Sequence, residues 1–381
     1  MKDIVREKST CSIDTEFCSI IAQLRFPIIA ILVFDHFNIL NYESLKGLYH
    51  EYPIVLDNMG TFVVTLISEI CGLCVVPFCF LISGYLFFRT FDGTIKSYSS
   101  KIKSRIRSLL YPFLIWNSIG LCFIGVYSIY RGDVIYNVSF FSILAQYWNV
   151  SLFPLFIFKD QQEYVQGPIY SHLWYLQYLL FLIILSPLFW IVLKKIPKNA
   201  LIVTALLWLI HPSVLHYSLV LSHMGLGGVF FFLLGGYFAM GGAKLASRLL
   251  SVPVWVYVAI FIINVVIYNQ IARTNWIIYF QRISLIIVIL LLSSGVKWMI
   301  HHGILISDSI SRSSFMLYAM HLMFIPIWRT FLTEILRPGN SELQLLLWII
   351  ACMCNIMTCV LFDIFTKRYL PSLNRVITGG R

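Results

Sequence analysis

Long apolar runs alternate with short polar segments along the chain, and this alternation sets the expected architecture. The runs lie at 18–40, 68–88, 109–130, 172–193, 200–218, 225–240, 252–270, 277–296, 314–333 and 344–366. Each is close to the roughly 20 apolar residues that an α-helix needs to cross a bilayer. The two-residue alternation of a barrel strand does not recur, and an open sheet cannot satisfy its edges in lipid. The pattern therefore predicts an all-α polytopic helix bundle of ten transmembrane helices. A single membrane domain is expected over 18–366, flanked by an N-terminal segment 1–17 and a C-terminal tail 367–381. The larger connections are 41–67 and 131–171. Within the second, the apolar stretch Phe140–Phe158 is broken by Asn149, Ser151 and Pro154, and reads as an interfacial or re-entrant helix.

Composition supports the same class. Hydrophobic residues make up 59% of the 381 and charged residues 12%, against about 45–50% and 25% in soluble domains. A disordered chain, a disulfide mini-scaffold and an ordinary soluble enzyme are excluded. The net charge of +11 would suit nucleic acid, but most of the cations sit in short segments between apolar runs, where they orient a membrane protein. Residues 89–108 carry Arg89, Lys96, Lys101, Lys103, Arg105 and Arg107 against Asp92, and are expected on the cytoplasmic side. Lys194, Lys195, Lys198, Lys244, Arg248, Lys297, Arg312, Lys367, Arg368 and Arg375 then fall on that side too, with both termini cytoplasmic. Most of the nine cysteines lie inside apolar runs, so neither a disulfide framework nor a metal site is expected. No cleavable signal is expected, because the first apolar run is preceded by a charged segment and is too long.

An ionisable side chain inside a span is costly, and so marks a candidate site. Arg25 and His36 both fall in the first run. They are just over three helical turns apart, on one face and about 16 Å apart along the axis. A fixed cation near the cytoplasmic end and a titratable imidazole near the outer end suit a long anionic ligand entering from the cytoplasm. Snorkelling of Arg25 and a wet helix mouth at His36 explain the same residues without chemistry. Asp35 lies about 100° around the helix from His36, so it is expected to pair with a neighbouring span rather than with that ring. His172 and Trp174 open the fourth run, where an aromatic belt is the plainer reading. His321 lies within the ninth run and Arg282 one to two turns inside the eighth, and Glu69 begins the second. His211, His216 and His223 read as interfacial. Arg105 and Arg107 precede the third run and could capture phosphate as well as set topology. There is no GxxxxGK[ST], GxGxxG or GxSxG sequence. Gly225, Gly227, Gly228, Gly235 and Gly236 read as sites of close helix packing.

Five local patterns occur in order along the chain. They are Arg25 with His36; Val76-Pro77-Phe78-Cys79-Phe80-Leu81-Ile82-Ser83-Gly84-Tyr85-Leu86; the basic run through Arg105 and Arg107 into Tyr111-Pro112; His172-Leu173-Trp174-Tyr175-Leu176; and Ser314 through His321. In this combination the chain resembles the acyltransferase 3 family, integral-membrane O-acyltransferases of bacterial surface carbohydrates. The resemblance implies an acyl-CoA donor, most simply acetyl-CoA, used as co-substrate with no permanently bound cofactor. It implies a carbohydrate hydroxyl as acceptor, a bacterial inner membrane as location, and no nucleic acid partner. A homo-oligomeric state is left open. By the same resemblance His36 is the general base, with Arg25 essential and His172 assisting. Arg25, Arg105, Arg107, Ser83 and Tyr85 are assigned to acyl-CoA, with Asp35, Glu69, Trp174, Arg282 and His321 in support. Leu73 stands where such proteins often carry a basic residue, a departure that either Arg282 offsets or a different donor site accommodates. A non-enzymatic exporter of a glycan intermediate is the competing reading, and CoA dependence separates the two.

Overall fold

The computed structural model describes residues 2–40, 56–131, 171–210, 223–271, 274, 276–336 and 338–380. Every regular element among them is helical. In chain order they are α1 (Lys2–His36), α2 (Asn58–Val64), α3 (Val75–Phe88), α4 (Ile95–Arg105), α5 (Tyr111–Arg131), α6 (Trp174–Ile184), α7 (Ser186–Lys195) and α8 (Pro197–Ile210). Then come α9 (His223–Tyr237), α10 (Ala243–Ser251), α11 (Val254–Ile271), α12 (Ile277–His301), α13 (Asp308–Arg312), α14 (Ser314–Thr330), α15 (Ser341–Tyr369) and α16 (Pro371–Thr378). Among the described residues, every predicted apolar run falls wholly or in part on one or more of these helices. Among the described residues seven helical stretches are long and apolar enough to cross a membrane, or eight if α6 and α7 form one bent span. The fifth run is represented by the shorter α8, and its remainder lies outside the described residues, as do Phe140–Phe158, His211 and His216. The chain is an all-α, multi-pass membrane protein.

Helix boundaries differ from the apolar runs for identifiable reasons. The basic segment before the third run is helical, not a loop. Thr94 caps α4 by accepting from the Ser97 N–H, and a π-helical segment, Ile106–Leu110, carries the helix on into α5. The fourth run is bent by 61° between α6 and α7. Pro187, in the first turn of α7, has no N–H to continue the helix. Asp57 caps α2, its carboxylate accepting from the Gly60 N–H at 2.7 Å and the Ser341 hydroxyl at 2.8 Å. These bonds, Gly60 first, hold that carboxyl below its usual range.

The chain divides into two compact units. One comprises Met1–Phe78 with Ala243–Leu370, the other Cys79–Gly242 with Pro371–Arg381. In the first, α1 is fixed by bonds that cross long stretches of sequence. The Gln23 amide pairs with the Ile306 backbone, accepting from its N–H at 2.7 Å, and the Ser311 hydroxyl donates to the Ala22 carbonyl at 2.7 Å. At the other end, Trp348 Nε1 donates to the Phe37 carbonyl at 2.8 Å and the Ser68 hydroxyl to the Phe34 carbonyl at 3.0 Å. Both Trp348 and Phe37 are fully buried. Replacing Trp348 by Phe keeps an aromatic ring but removes the donor and part of the buried volume. The expected cost is about 2–3 kcal/mol, from the unpaired Phe37 carbonyl and the space left behind, read as a lowered Tm in detergent.

The second unit rests on close helix packing. A Cβ on Gly84 would overlap the Phe232 carbonyl oxygen, and one on Gly235 the Leu81 carbonyl oxygen. Thus α3 and α9 meet backbone to backbone. Gly228 faces the Tyr178 and Phe80 rings, and Gly227 the Trp208 indole. Of the glycines expected to mediate close packing, Gly227, Gly228, Gly235 and Gly236 do so, joined by Gly84.

Candidate active site

His36 ends α1, and His321 lies in α14 of the same unit. Their rings lie within 17° of parallel, with centroids 5.0 Å apart, and His36 Nδ1 is 2.7 Å from His321 Nε2. His321 is fully buried, whereas His36 keeps part of its surface accessible. The proton positions follow from the partners. His321 Nδ1 lies 2.8 Å from the Tyr318 carbonyl and 3.1 Å from that of Leu317. A carbonyl only accepts, so this nitrogen carries a hydrogen. With the ring neutral, His321 Nε2 is the acceptor and His36 Nδ1 the donor. His36 Nε2 is left with its lone pair, the form a general base requires. One ring thus sets the tautomer of the other.

The supporting contacts are buried as well. Asn355, fully buried, donates to the His321 carbonyl at 3.1 Å. Beyond it on α15, Asp363 accepts from the Ser313 hydroxyl and from Lys367, each at 2.6 Å. This anchors the start of α14 to the far end of α15. Arg329, on α14, is only 4% exposed and its guanidinium lies 5.7 Å from the Phe37 ring centroid. The sequence reading passed over Asn355, Asp363 and Arg329, although a charge within an apolar run was the signal for two of them.

The other sequence candidates are distributed as follows. Arg25 lies on the same uninterrupted helix as His36, with an exposed side chain. It forms no ion pair with a carboxylate among the described residues. The Asp35 carboxylate packs on Gly72, where an added Cβ would lie 2.7 Å from its oxygen. Arg282 is 4% exposed, with its guanidinium 5.7 Å from the Tyr279 ring centroid. The Glu69 backbone lies in the π-helical segment Thr65–Cys71, but its side chain lies outside the described residues. All of these belong to the first unit.

The second unit holds the rest. His172 is buried in the short turn Ser171–Leu173 that leads into α6. Ser83 shares a 3.0 Å hydrogen bond with the Tyr175 hydroxyl. The Phe80 ring contacts Tyr175 at 4.8 Å and lies 6.4 Å from Trp174, and Tyr85 is buried. Arg105 and Arg107 line a cleft of about 970 Å³, together with Lys103 and Arg375.

An all-α membrane protein with a histidine pair at the end of its first long span, His321 buried and His36 partly so, is thus defined. Residues 23–364, nearly the whole chain, match the acyltransferase domain of the acyltransferase 3 family, and the chain belongs to that family. No curated protein and no solved structure matches it.

Proposed function

We propose that this membrane acyltransferase moves a short acyl group, acetyl in the simplest case, from acyl-CoA to a hydroxyl of a cell-envelope glycan or its lipid-linked precursor in a bacterial inner membrane. The observation that carries this reading is the histidine pair, in which His36 Nδ1 lies 2.7 Å from His321 Nε2, an arrangement that supports His36 Nε2 as the proton acceptor. As the acceptor oxygen bonds to the thioester carbonyl carbon, its proton passes to His36 Nε2. The carbon–sulfur bond then breaks, and the proton leaves with the CoA thiol. The products are an ester and CoA.

Arg25, Arg105 and Arg107 are assigned to the donor's phosphates, for which guanidinium groups offer planar paired donors. Ser83 and Tyr85 are assigned to the same ligand, and His172 is a second candidate for proton transfer. Loop charges support a cytoplasmic donor side, because the segments richest in Lys and Arg then share one face of the membrane.

Acetyl-CoA should raise the Tm of the purified protein, since a ligand that binds only the folded state stabilises it by mass action. At a hundredfold excess over Kd this amounts to about 2.7 kcal/mol. Arg25→Ala should abolish the shift. Release of CoA thiol on addition of a glycan acceptor tests the reaction itself. A glycan exporter would give neither signal.

A further inference from the structure

The C-terminal helix α16 was read from sequence only as part of a basic tail, yet it forms one wall of the cleft that contains Arg105 and Arg107. Lys103, Arg105 and Arg107 come from α4 and the π-helical segment after it, and Arg375 comes from α16. No carboxylate is among the described lining residues. Three cations from one segment and a fourth from far along the chain thus line one cleft, and an anion among them would offset their like charge.

Specific contacts hold α16 there. Trp116 Nε1 donates to the Ile377 carbonyl at 2.9 Å in a buried bond. The helix ends with Gly379 at φ 70° and Gly380 at φ 78°, and the Gly380 N–H returns to the Arg375 carbonyl at 2.8 Å. That left-handed turn is open to glycine and strained for other residues. It also packs tightly on the opposite wall, because a Cβ on Gly379 would lie 2.7 Å from Ser108 Cα and 2.9 Å from the Arg107 carbonyl. The position of Arg375 is therefore set by a glycine turn seated directly on the Arg107–Ser108 backbone.

We propose that α16 and its glycine turn complete a site for a ligand bearing several phosphate groups, and that Arg375 is a binding residue of that site. Under the function proposed above, on which the choice of ligand rests, those groups are the phosphates of CoA. A phospholipid headgroup offers the same chemistry, and the test separates the two.

The soluble probe is 3′,5′-adenosine bisphosphate, which carries phosphates in the manner of CoA but no thioester. It is titrated into the full-length protein in detergent. Wild type should bind it with an affinity that falls as salt rises. Arg375→Gln should weaken binding about tenfold, the range of one charge-assisted hydrogen bond, with Arg375→Lys intermediate and Lys198→Gln unchanged. Gly379→Ala keeps every cation but displaces the turn, and should weaken binding as well. The Tm without ligand shows whether each variant is folded.

In a second arm the protein is placed in nanodiscs of mixed phosphatidylglycerol and phosphatidylcholine. Retention of phosphatidylglycerol by wild type and its loss in Arg375→Gln, with no binding of the soluble probe, would assign the site to a lipid headgroup. Binding of neither ligand, or equal binding by folded Arg375→Gln, would overturn the proposal. Probe binding without any acyl transfer would leave the cleft standing and overturn the enzymatic reading instead.

Discussion

His36→Ala is expected to lower acyl transfer by roughly 10²–10⁴-fold, the usual contribution of a positioned general base, while the protein stays folded and membrane-inserted. His36 ends α1 and is only partly buried, so truncation leaves little strain behind. Its partner separates chemistry from architecture. His321→Ala removes the acceptor that fixes the His36 tautomer and should lower kcat about tenfold or more without changing the KM for acyl-CoA. His321→Gln offers an amide oxygen to His36 Nδ1 and should recover part of that loss. A purely structural His321 would instead lower the Tm and leave the kcat of the folded fraction unchanged. Steady-state kinetics on reconstituted protein, beside Tm values, decide between these outcomes.

Gly235→Ala is expected to be the most damaging single-methyl change in the second unit. The added carbon would overlap the Leu81 carbonyl oxygen and lie 2.7 Å from the Tyr85 N. The clash is with backbone on both counts, so no rotamer change relieves it. Forced overpacking of this kind costs about 1–3 kcal/mol and at times more, and here α3 must shift away from α9. Gly84→Ala meets the reciprocal surface at the Phe232 carbonyl and should behave alike. Gly295→Ala on α12 is the control. Nothing lies within 4 Å of its added carbon, and alanine favours a helix by about 1 kcal/mol over glycine. Equal Tm losses for Gly235→Ala and Gly295→Ala would refute the packing argument.

Hydrophobic periodicity alone carried the class of this protein. Runs long enough for lipid can satisfy their backbone only as helices, and the described part of each run is helical apart from short ends and the break between α6 and α7. Arg25 and His36 stand out as candidates because a charge in an apolar run is expensive, and helical spacing places both on one face. Close glycine packing was likewise readable at Gly228 and Gly235, although the run does not say which backbone comes near. The breaks were less legible, since the 61° bend at the start of α7 lies within a single apolar run.

What the sequence by itself determined is therefore local: which segments are apolar, which helix faces carry charge, and where a chain without side chains at Cβ can come close to another. Tertiary structure alone decided which distant residues meet. His36 and His321 sit in different runs and share no sequence pattern, yet their 2.7 Å bond fixes which nitrogen can take a proton. Arg375 reads as one more cation in a tail until a glycine turn seats it across from Arg107. The physical reason is that burial and charge are properties of single positions, whereas a tautomer or a cluster of cations exists only once folding has brought the partners within hydrogen-bonding or Coulombic range.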